Sequence, residues 1–318
     1  MKKTVLGNTG LLVSIAGFGV LPMGPSQLAL PIETGAEIIR YAIEHGINFL
    51  DTAQYYRTYP YIRKALEGTS YEDLVICSKS LCEDYEGMMD AIYEAREALD
   101  RDMIDIFLMH EVRSGQLELR QGAWQALIDA KSKGLVRAIG LSTHHVDVTE
   151  AAASMEELDV VFPLINYAGL GIRKGDAFAT KEEMLQAIEK CHKAGKGVFS
   201  MKAFGGGSLT GHYQEALDYV FSKEVIDSVM IGFGKISEVD DLLAYLDGSM
   251  EKSYNPDISK KKVYINQEDC EGCGSCKAAC PAGAIFYNKN GLAEVDHEKC
   301  LTCGYCSPVC PVRAVIMY

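Results

Sequence analysis

Residues 104–110 read Ile104-Asp105-Ile106-Phe107-Leu108-Met109-His110. A short run that is apolar almost without alternation suits a strand buried on both faces, as in a parallel sheet. A helical stretch follows near 120–133 and stops at Gly134, and a second apolar run begins at Val136 and reaches Ser142. Glycine just past the last periodic residue is the left-handed stop signal of a helix. The same unit, strand then amphipathic helix, recurs on both sides. Upstream lie strands at 15–20, 47–51 and 74–79, with helices near 33–45, 59–67 and 86–100. Downstream, after a helix near 146–153, lie strands at 160–164, 197–202 and 228–231, with helices near 181–194, 213–222 and 236–247.

Eight such units in roughly 250 residues match the count and length of an α/β fold, the (β/α)8 TIM barrel. Residues 3–17 precede the first unit and read as a β-hairpin turning at Asn8-Thr9-Gly10. The expected organisation is a barrel over 1–250, a linker over 251–261, and a small α+β domain over 262–318.

That last segment holds eight of the eleven cysteines. Residues 270–281 read C-E-G-C-G-S-C-K-A-A-C-P, and 300–311 read C-L-T-C-G-Y-C-S-P-V-C-P. Each half is C-x2-C-x2-C-x3-C-P, repeated at an offset of thirty residues from Cys270 to Cys300. Three closely spaced thiolates wrap one iron–sulfur cube, and the fourth, turned away before proline, reaches the other. On that logic Cys270, Cys273, Cys276 and Cys310 hold one [4Fe–4S] cluster, and Cys300, Cys303, Cys306 and Cys280 hold the second. Structural zinc prefers well-separated C-x2-C pairs, and disulfides need an oxidising compartment. Neither accounts for a doubled run ending in Cys-Pro. The segment resembles a bacterial two-cluster ferredoxin, an electron-transfer module. Of the other cysteines, Cys77 fits a strand and Cys191 a helix, while Cys82 follows Lys79 closely.

The formal charge of −13 over 318 residues lies almost wholly outside this segment. A chain so acidic, with no basic stripe, is a poor ligand for nucleic acid. The N-terminus lacks the apolar run of a signal peptide, and no stretch has the roughly 18 apolar residues of a membrane span. The expected location is cytoplasmic, in a cell low enough in oxygen to spare exposed clusters.

In a TIM barrel the active site forms at the C-terminal ends of the strands. Here three apolar runs end in polar residues, at Asp51, Lys79 and His110, and Tyr56 lies five residues beyond Asp51. A phenol beside an ammonium gives up its proton more readily. An aspartate keeps that ammonium charged, and an imidazole orients a carbonyl oxygen. The set is suited to protonating a carbonyl as it is reduced.

The stretch 46–56 (G-I-N-F-L-D-T-A-Q-Y-Y), Ser78-Lys79 and Leu108-Met109-His110 resemble the aldo-keto reductases, as do 6–14 (L-G-N-T-G-L-L-V-S) and 17–19 (G-F-G). The resemblance covers about 1–250, and the fusion is similar to a branch of that family with a ferredoxin tail. It implies Tyr56 as general acid, Lys79 and Asp51 as its tuning pair, and His110 as substrate orienter, with Tyr55 a close competitor of Tyr56. It also implies NAD(P)H bound on the barrel, with Gly19, Ser142, Thr143, Asn166, Lys202, Gly205, Gly206, Gly232 and Lys235 as contacts. The choice between NADH and NADPH stays open.

The expected function is an iron–sulfur oxidoreductase that reduces an aldehyde or ketone with NAD(P)H, the clusters relaying electrons to the site or to a protein partner. Two alternatives stand beside it. One is a ferredoxin-fed reductase in which nicotinamide is not the donor, and the other a non-catalytic electron-transfer or docking module. The linker, at about 3.3 Å per residue, is long enough to return the small domain to the barrel mouth, where it is expected to pack.

Overall fold

The structure is a computed structural model and describes residues 1–69, 71, 73–257, 261–302, 304–312 and 314–317. The chain opens with an antiparallel hairpin, β1 (Lys3–Val5) and β2 (Leu12–Ser14). Eight strand–helix units follow. β3 (Ala16–Gly19) leads to α1 (Ile32–Glu44), β4 (Phe49–Asp51) to α2 (Tyr59–Leu66), and β5 (Val75–Ser80) to α3 (Tyr85–Leu99). β6 (Ile104–Met109) leads to a short α4 (Gln116–Leu119) and then α5 (Gln121–Ser132), and β7 (Val136–Thr143) to α6 (Val146–Ala152). β8 (Val160–Pro163) leads through a small hairpin, β9 (Arg173–Lys174) and β10 (Ala177–Phe178), to α7 (Lys181–Lys193). β11 (Gly197–Ser200) leads to α8 (Tyr213–Phe221), and β12 (Ser228–Gly232) to α9 (Ile236–Asp247). The eight strands pair parallel in chain order and close, β12 pairing with β3. This is the expected barrel.

Local chemistry explains the helix ends. Thr180 and Glu183 form a reciprocal capping box at the start of α7, and Asp84 caps α3 by accepting from Gly87 N–H. α9 ends on Gly248 in the left-handed conformation. The β9–β10 hairpin escaped the sequence reading because two-residue strands carry no periodicity.

The core has two layers. Between strands and helices lies a broad shell that includes Phe18, Ile39, Ile62, Ile92, Phe107 and Leu127. Inside the barrel, Phe49, Val75, Cys77, Ile106, Leu108 and Phe199 fill the interior. Phe199 stacks on Phe162 at 4.3 Å and tilts against Phe49 at 5.0 Å. Leu6, Leu11 and Val13 from the hairpin join this inner cluster and plug the N-terminal end. Gly7, at φ +48°, approaches so closely that a Cβ there would meet the Gly197 nitrogen at 2.2 Å. Only glycine permits that seal.

After α9 the chain stays on the barrel. Met250 and Tyr254 pack against its outer core, with Tyr254 edge-on to Tyr213 at 6.1 Å. Residues 258–260 of the expected linker lie outside the described residues. The C-terminal domain is built from β13 (Val263–Ile265), α10 (Ser275–Ala278), β14 (Ile285–Tyr287), β15 (Ala293–Val295) and β16 (Val315–Met317). β13 pairs with β16 and β14 with β15, both antiparallel. Val263, Ile265, Ile285, Val315 and Met317 form its small core together with the buried Cys276, Cys306 and Cys310.

This domain sits on the C-terminal face of the barrel. Tyr55 Oη donates to Asp269 at 3.0 Å, Arg57 pairs with Glu268 at 3.2 Å, and Arg113 pairs with Glu271 at 3.2 Å. Met317 N–H donates to the Gly206 carbonyl, and Lys261 Nζ reaches Thr210 Oγ1. The barrel residues in these contacts follow β4, β6 and β11, so all belong to the loops that rim the mouth.

Candidate active site

Side chains alternate along a strand, so every second residue faces the barrel axis. Phe49 is in the inner cluster, and Asp51 is the next inward position on β4. Val75 and Cys77 are followed on β5 by Lys79, and Ile106 and Leu108 on β6 by His110. The three polar residues are thus the first positions above a dry interior, converging because the strands do.

Lys79 Nζ donates to Asp51 Oδ1 at 2.7 Å and to the Thr52 carbonyl at 2.7 Å. The pair is almost fully enclosed, with side-chain exposures of 1% and 7%. The 3-10 turn Gln54–Tyr56 swings Tyr56 back over it, with Lys79 Nζ 4.6 Å from the ring centre. Tyr56 Oη lies 3.4 Å from His110 Nε2. All four expected catalytic residues therefore stand together. Tyr55 points elsewhere, to Asp269 and Asn266.

Burial holds the Tyr56 phenol well above its ordinary pKa, and the charges of Asp51, Glu111 and Asp269 add to this. The expectation that Lys79 would ease the phenol's proton away therefore does not match the geometry. The ammonium lies under the ring and is bonded to Asp51, not to the hydroxyl. Burial pushes the Asp51 carboxyl up, and Lys79 pulls it partly back. His110 is held well below the usual histidine range by burial, then by the positive charges of Lys79, Arg120 and Lys202. The site at neutral pH is a proton-bearing phenol facing a neutral imidazole above an ion pair.

Sequence reading missed Arg120. It is buried at the start of α5 and donates to the carbonyls of His110 (2.8 Å), Ser80 (3.1 Å) and Cys82 (3.0 Å). It thus clamps the ends of β5 and β6, which carry Lys79 and His110. The available signal was an arginine at the inward-facing start of an amphipathic helix.

The expected nucleotide contacts scatter. Ser142 Oγ accepts from Glu111 N–H, and Thr143 Oγ1 donates to the Val112 carbonyl. Asn166 is buried with both side-chain ends bonded to the Leu170 backbone. Lys235 is exposed and faces Glu238 at 4.0 Å. Lys202 takes a left-handed φ of +59° just past β11. Gly19 and Gly232 pair across β3 and β12, and a Cβ on Gly232 would strike Pro22. Gly205 and Gly206 belong to the turn 205–207, where the Gly206 carbonyl accepts from Met317 and a Cβ on Gly207 would meet the Met317 oxygen at 2.0 Å. Gly207 is accounted for by the approach of β16. In this arrangement two of the expected contacts are not open to a dinucleotide: the Asn166 amide is engaged by the Leu170 backbone, and the turn 205–207 is covered by Met317.

The cysteine residues fit their clusters better. The Cys276 thiol feels Cys310, then Cys270 and Cys273, and the Cys306 thiol feels Cys276, Cys300 and Cys280. Cys310 thus lies near Cys276 of the first run, and Cys280 near Cys306 of the second. Cys303 lies outside the described residues. A largely apolar pocket is lined by Cys280, Cys300 and Cys306, with Ile285, Val295 and Leu301. Backbone N–H groups of Ala284, Ala293 and Thr302 point at Cys280, Cys270 and Cys300 sulfur at 3.3, 3.4 and 3.4 Å. Such donors stabilise thiolates bound to iron. Among the described residues no three His, Cys, Asp or Glu side chains converge on a single metal ion. A cube asks for less convergence, since each thiolate bonds a different iron.

A parallel eight-stranded barrel with this polar set at its mouth, capped by an eight-cysteine domain, defines an oxidoreductase of the aldo-keto reductase kind. The chain belongs to that family: the aldo/keto reductase family model matches residues 17–225, and a 4Fe-4S dicluster domain model matches 263–317. The chain is 25% identical over 288 residues to L-galactose dehydrogenase of Arabidopsis thaliana, covering 77% of this chain and 88% of that protein. It is 27% identical to methylglyoxal reductase DkgA of Escherichia coli K12, over 52% of this chain and 61% of that protein. Among solved structures, the holo form of aldo-keto reductase AKR11C1 from Bacillus halodurans superposes with a TM-score of 0.63 at 20% identity, covering 78% of this chain and 91% of the other, a likeness of fold. Among the described residues no helix is long and apolar enough to cross a membrane.

Proposed function

We propose that the chain reduces a small carbonyl compound at the mouth built by Asp51, Tyr56, Lys79 and His110, with Tyr56 as the proton donor. The observation that carries this is Tyr56 Oη held 3.4 Å from a neutral imidazole, above a buried ion pair. Two groups so close can address one carbonyl oxygen. The oxygen becomes far more basic as its carbon is reduced, and only then does a phenol with a raised pKa release its proton. Lys79 and Asp51 place a fixed dipole under the ring, and Arg120 holds the His110 strand end in register. We place the barrel at 1–250, the linker at 251–261 and the cluster domain at 262–318. The two cysteine sets named above hold two [4Fe–4S] clusters, which supply one-electron chemistry when bound. The cytoplasm suits such thiol-ligated clusters.

Family membership supports NAD(P)H as the reductant. A second reading, electrons delivered through the C-terminal domain from a protein carrier, is favoured by Asn166 being engaged with Leu170 and by Met317 lying on Gly206. The names of relatives include a methylglyoxal reductase, so methylglyoxal is a reasonable carbonyl probe. The test is its consumption by cluster-loaded protein with NADPH, NADH or dithionite, in wild type and Tyr56→Phe. The expected result is turnover with at least one donor, lowered in Tyr56→Phe by about 10²–10⁴-fold, the usual contribution of a positioned acid. Equal rates in the two proteins would refute the assignment of Tyr56.

A further inference from the structure

The residue after Cys270 and the two before it form a short acidic run, Glu268-Asp269-Cys270-Glu271, and all three acids reach the barrel mouth. Glu268 meets Arg57 and Glu271 meets Arg113, but these pairs are solvent-exposed, with side-chain exposures of 68% and 48% in the first and 41% and 54% in the second. Exposed pairs of this kind contribute about 0–1 kcal/mol. The third contact is the sheltered one. Tyr55 Oη donates to Asp269 Oδ1 at 3.0 Å and accepts from Asn266 Nδ2 at 3.4 Å. Asn266 is buried, donates to Asp269 Oδ2 at 2.7 Å, and accepts the Cys270 N–H on its carbonyl at 3.0 Å. Behind Tyr55, its ring centre lies 6.5 Å from that of Tyr56. In the second cysteine run Leu301 is 71% and Tyr305 63% exposed.

We propose that Tyr55 is the positioning residue through which the barrel mouth and the first cluster act on each other, holding the ligand loop of that cluster, and not of the second, beside Tyr56. The inference rests on the reading that Cys270, Cys273, Cys276 and Cys310 hold a cluster. Tyr55 supplies a hydrogen-bond donor to a carboxylate one residue from a cluster ligand, and such dipoles and charges set cluster potentials. Removing the donor leaves that carboxylate's charge less compensated and makes the cluster harder to reduce. Removing the charge does the opposite.

The test is an EPR-monitored redox titration of the full-length, cluster-loaded protein, in wild type, Tyr55→Phe and Asp269→Asn. One of two midpoints should fall in Tyr55→Phe and the same one should rise in Asp269→Asn, while the other stays in place. Both midpoints moving together, or neither moving, in protein whose iron and sulfide account for two cubes would overturn the proposal alone. Iron and sulfide well short of two cubes per chain would overturn the cluster reading, and the proposal with it.

Discussion

Lys79 is a charged side chain inside a barrel, tolerable only because Asp51 and the Thr52 carbonyl accept its hydrogen bonds at 2.7 Å each. Removing one partner of a buried pair costs about 3–5 kcal/mol, since the other charge stays buried alone. Lys79→Met should therefore lower the barrel's melting temperature sharply, and the double variant Asp51→Asn/Lys79→Met should recover most of it. A double variant no more stable than Lys79→Met would contradict the pairing. His110 and Tyr56 make a second prediction. His110 is shifted down and Tyr56 up. The imidazole is thus already neutral, and the phenol still protonated, across the window between their ordinary values of about 6.5 and 10. The pH profile of kcat/KM should show no break near pH 6.5, and one that disappears in His110→Gln would contradict this. At this scale the sequence was legible where a residue's place follows from strand alternation: Asp51, Lys79 and His110 could be read from the ends of apolar runs. It was illegible where the role depends on a partner distant in sequence. Arg120 acts through three carbonyls, and Tyr55 matters only because Asp269 returns to it.

Strands and helices were readable because a parallel barrel requires both faces of each strand to be apolar and each helix to bury one stripe. The bounds moved by only a residue or two. The loops were less legible. The turn 205–207 has three glycines, and glycine allows close approach without saying of what. The approaching group is β16: a Cβ on Gly207, at φ +90°, would lie 2.0 Å from the Met317 oxygen. Gly207→Ala should therefore unseat the C-terminal strand while leaving the barrel folded. Limited proteolysis reads this as faster cleavage in the linker over 251–261, and unchanged cleavage would show that β16 does not dock there. Nothing in the sequence near 173–178 announced the β9–β10 hairpin, whose two-residue strands are fixed by neighbours such as the His144 carbonyl, which accepts from Arg173 N–H.

For the whole molecule, the eight-cysteine repeat and the barrel could be read separately, and the reach of the linker gave the expectation that the small domain packs at the mouth; the contacts that seat it there could not be read. The C-terminal domain lies on the mouth, tied by Arg57–Glu268 and Arg113–Glu271 at the rim and by Tyr55 and Met317 further in. Rim pairs are screened within about 10 Å at 0.1 M salt, so linker cleavage should quicken only modestly as salt rises and strongly once Gly207→Ala is added. On the proposed function, the seat of the first cysteine run beside Tyr56 joins cluster and carbonyl chemistry in one enzyme. The direct measurement is the visible absorbance of the cluster-loaded protein, reduced anaerobically with dithionite and freed of excess, on adding the carbonyl probe with and without NAD⁺ and NADP⁺. The account predicts that the oxidised-cluster absorbance returns under at least one of these conditions, and that Tyr56→Phe slows the return at least about 100-fold. Clusters that stay reduced in wild type under every condition would contradict it.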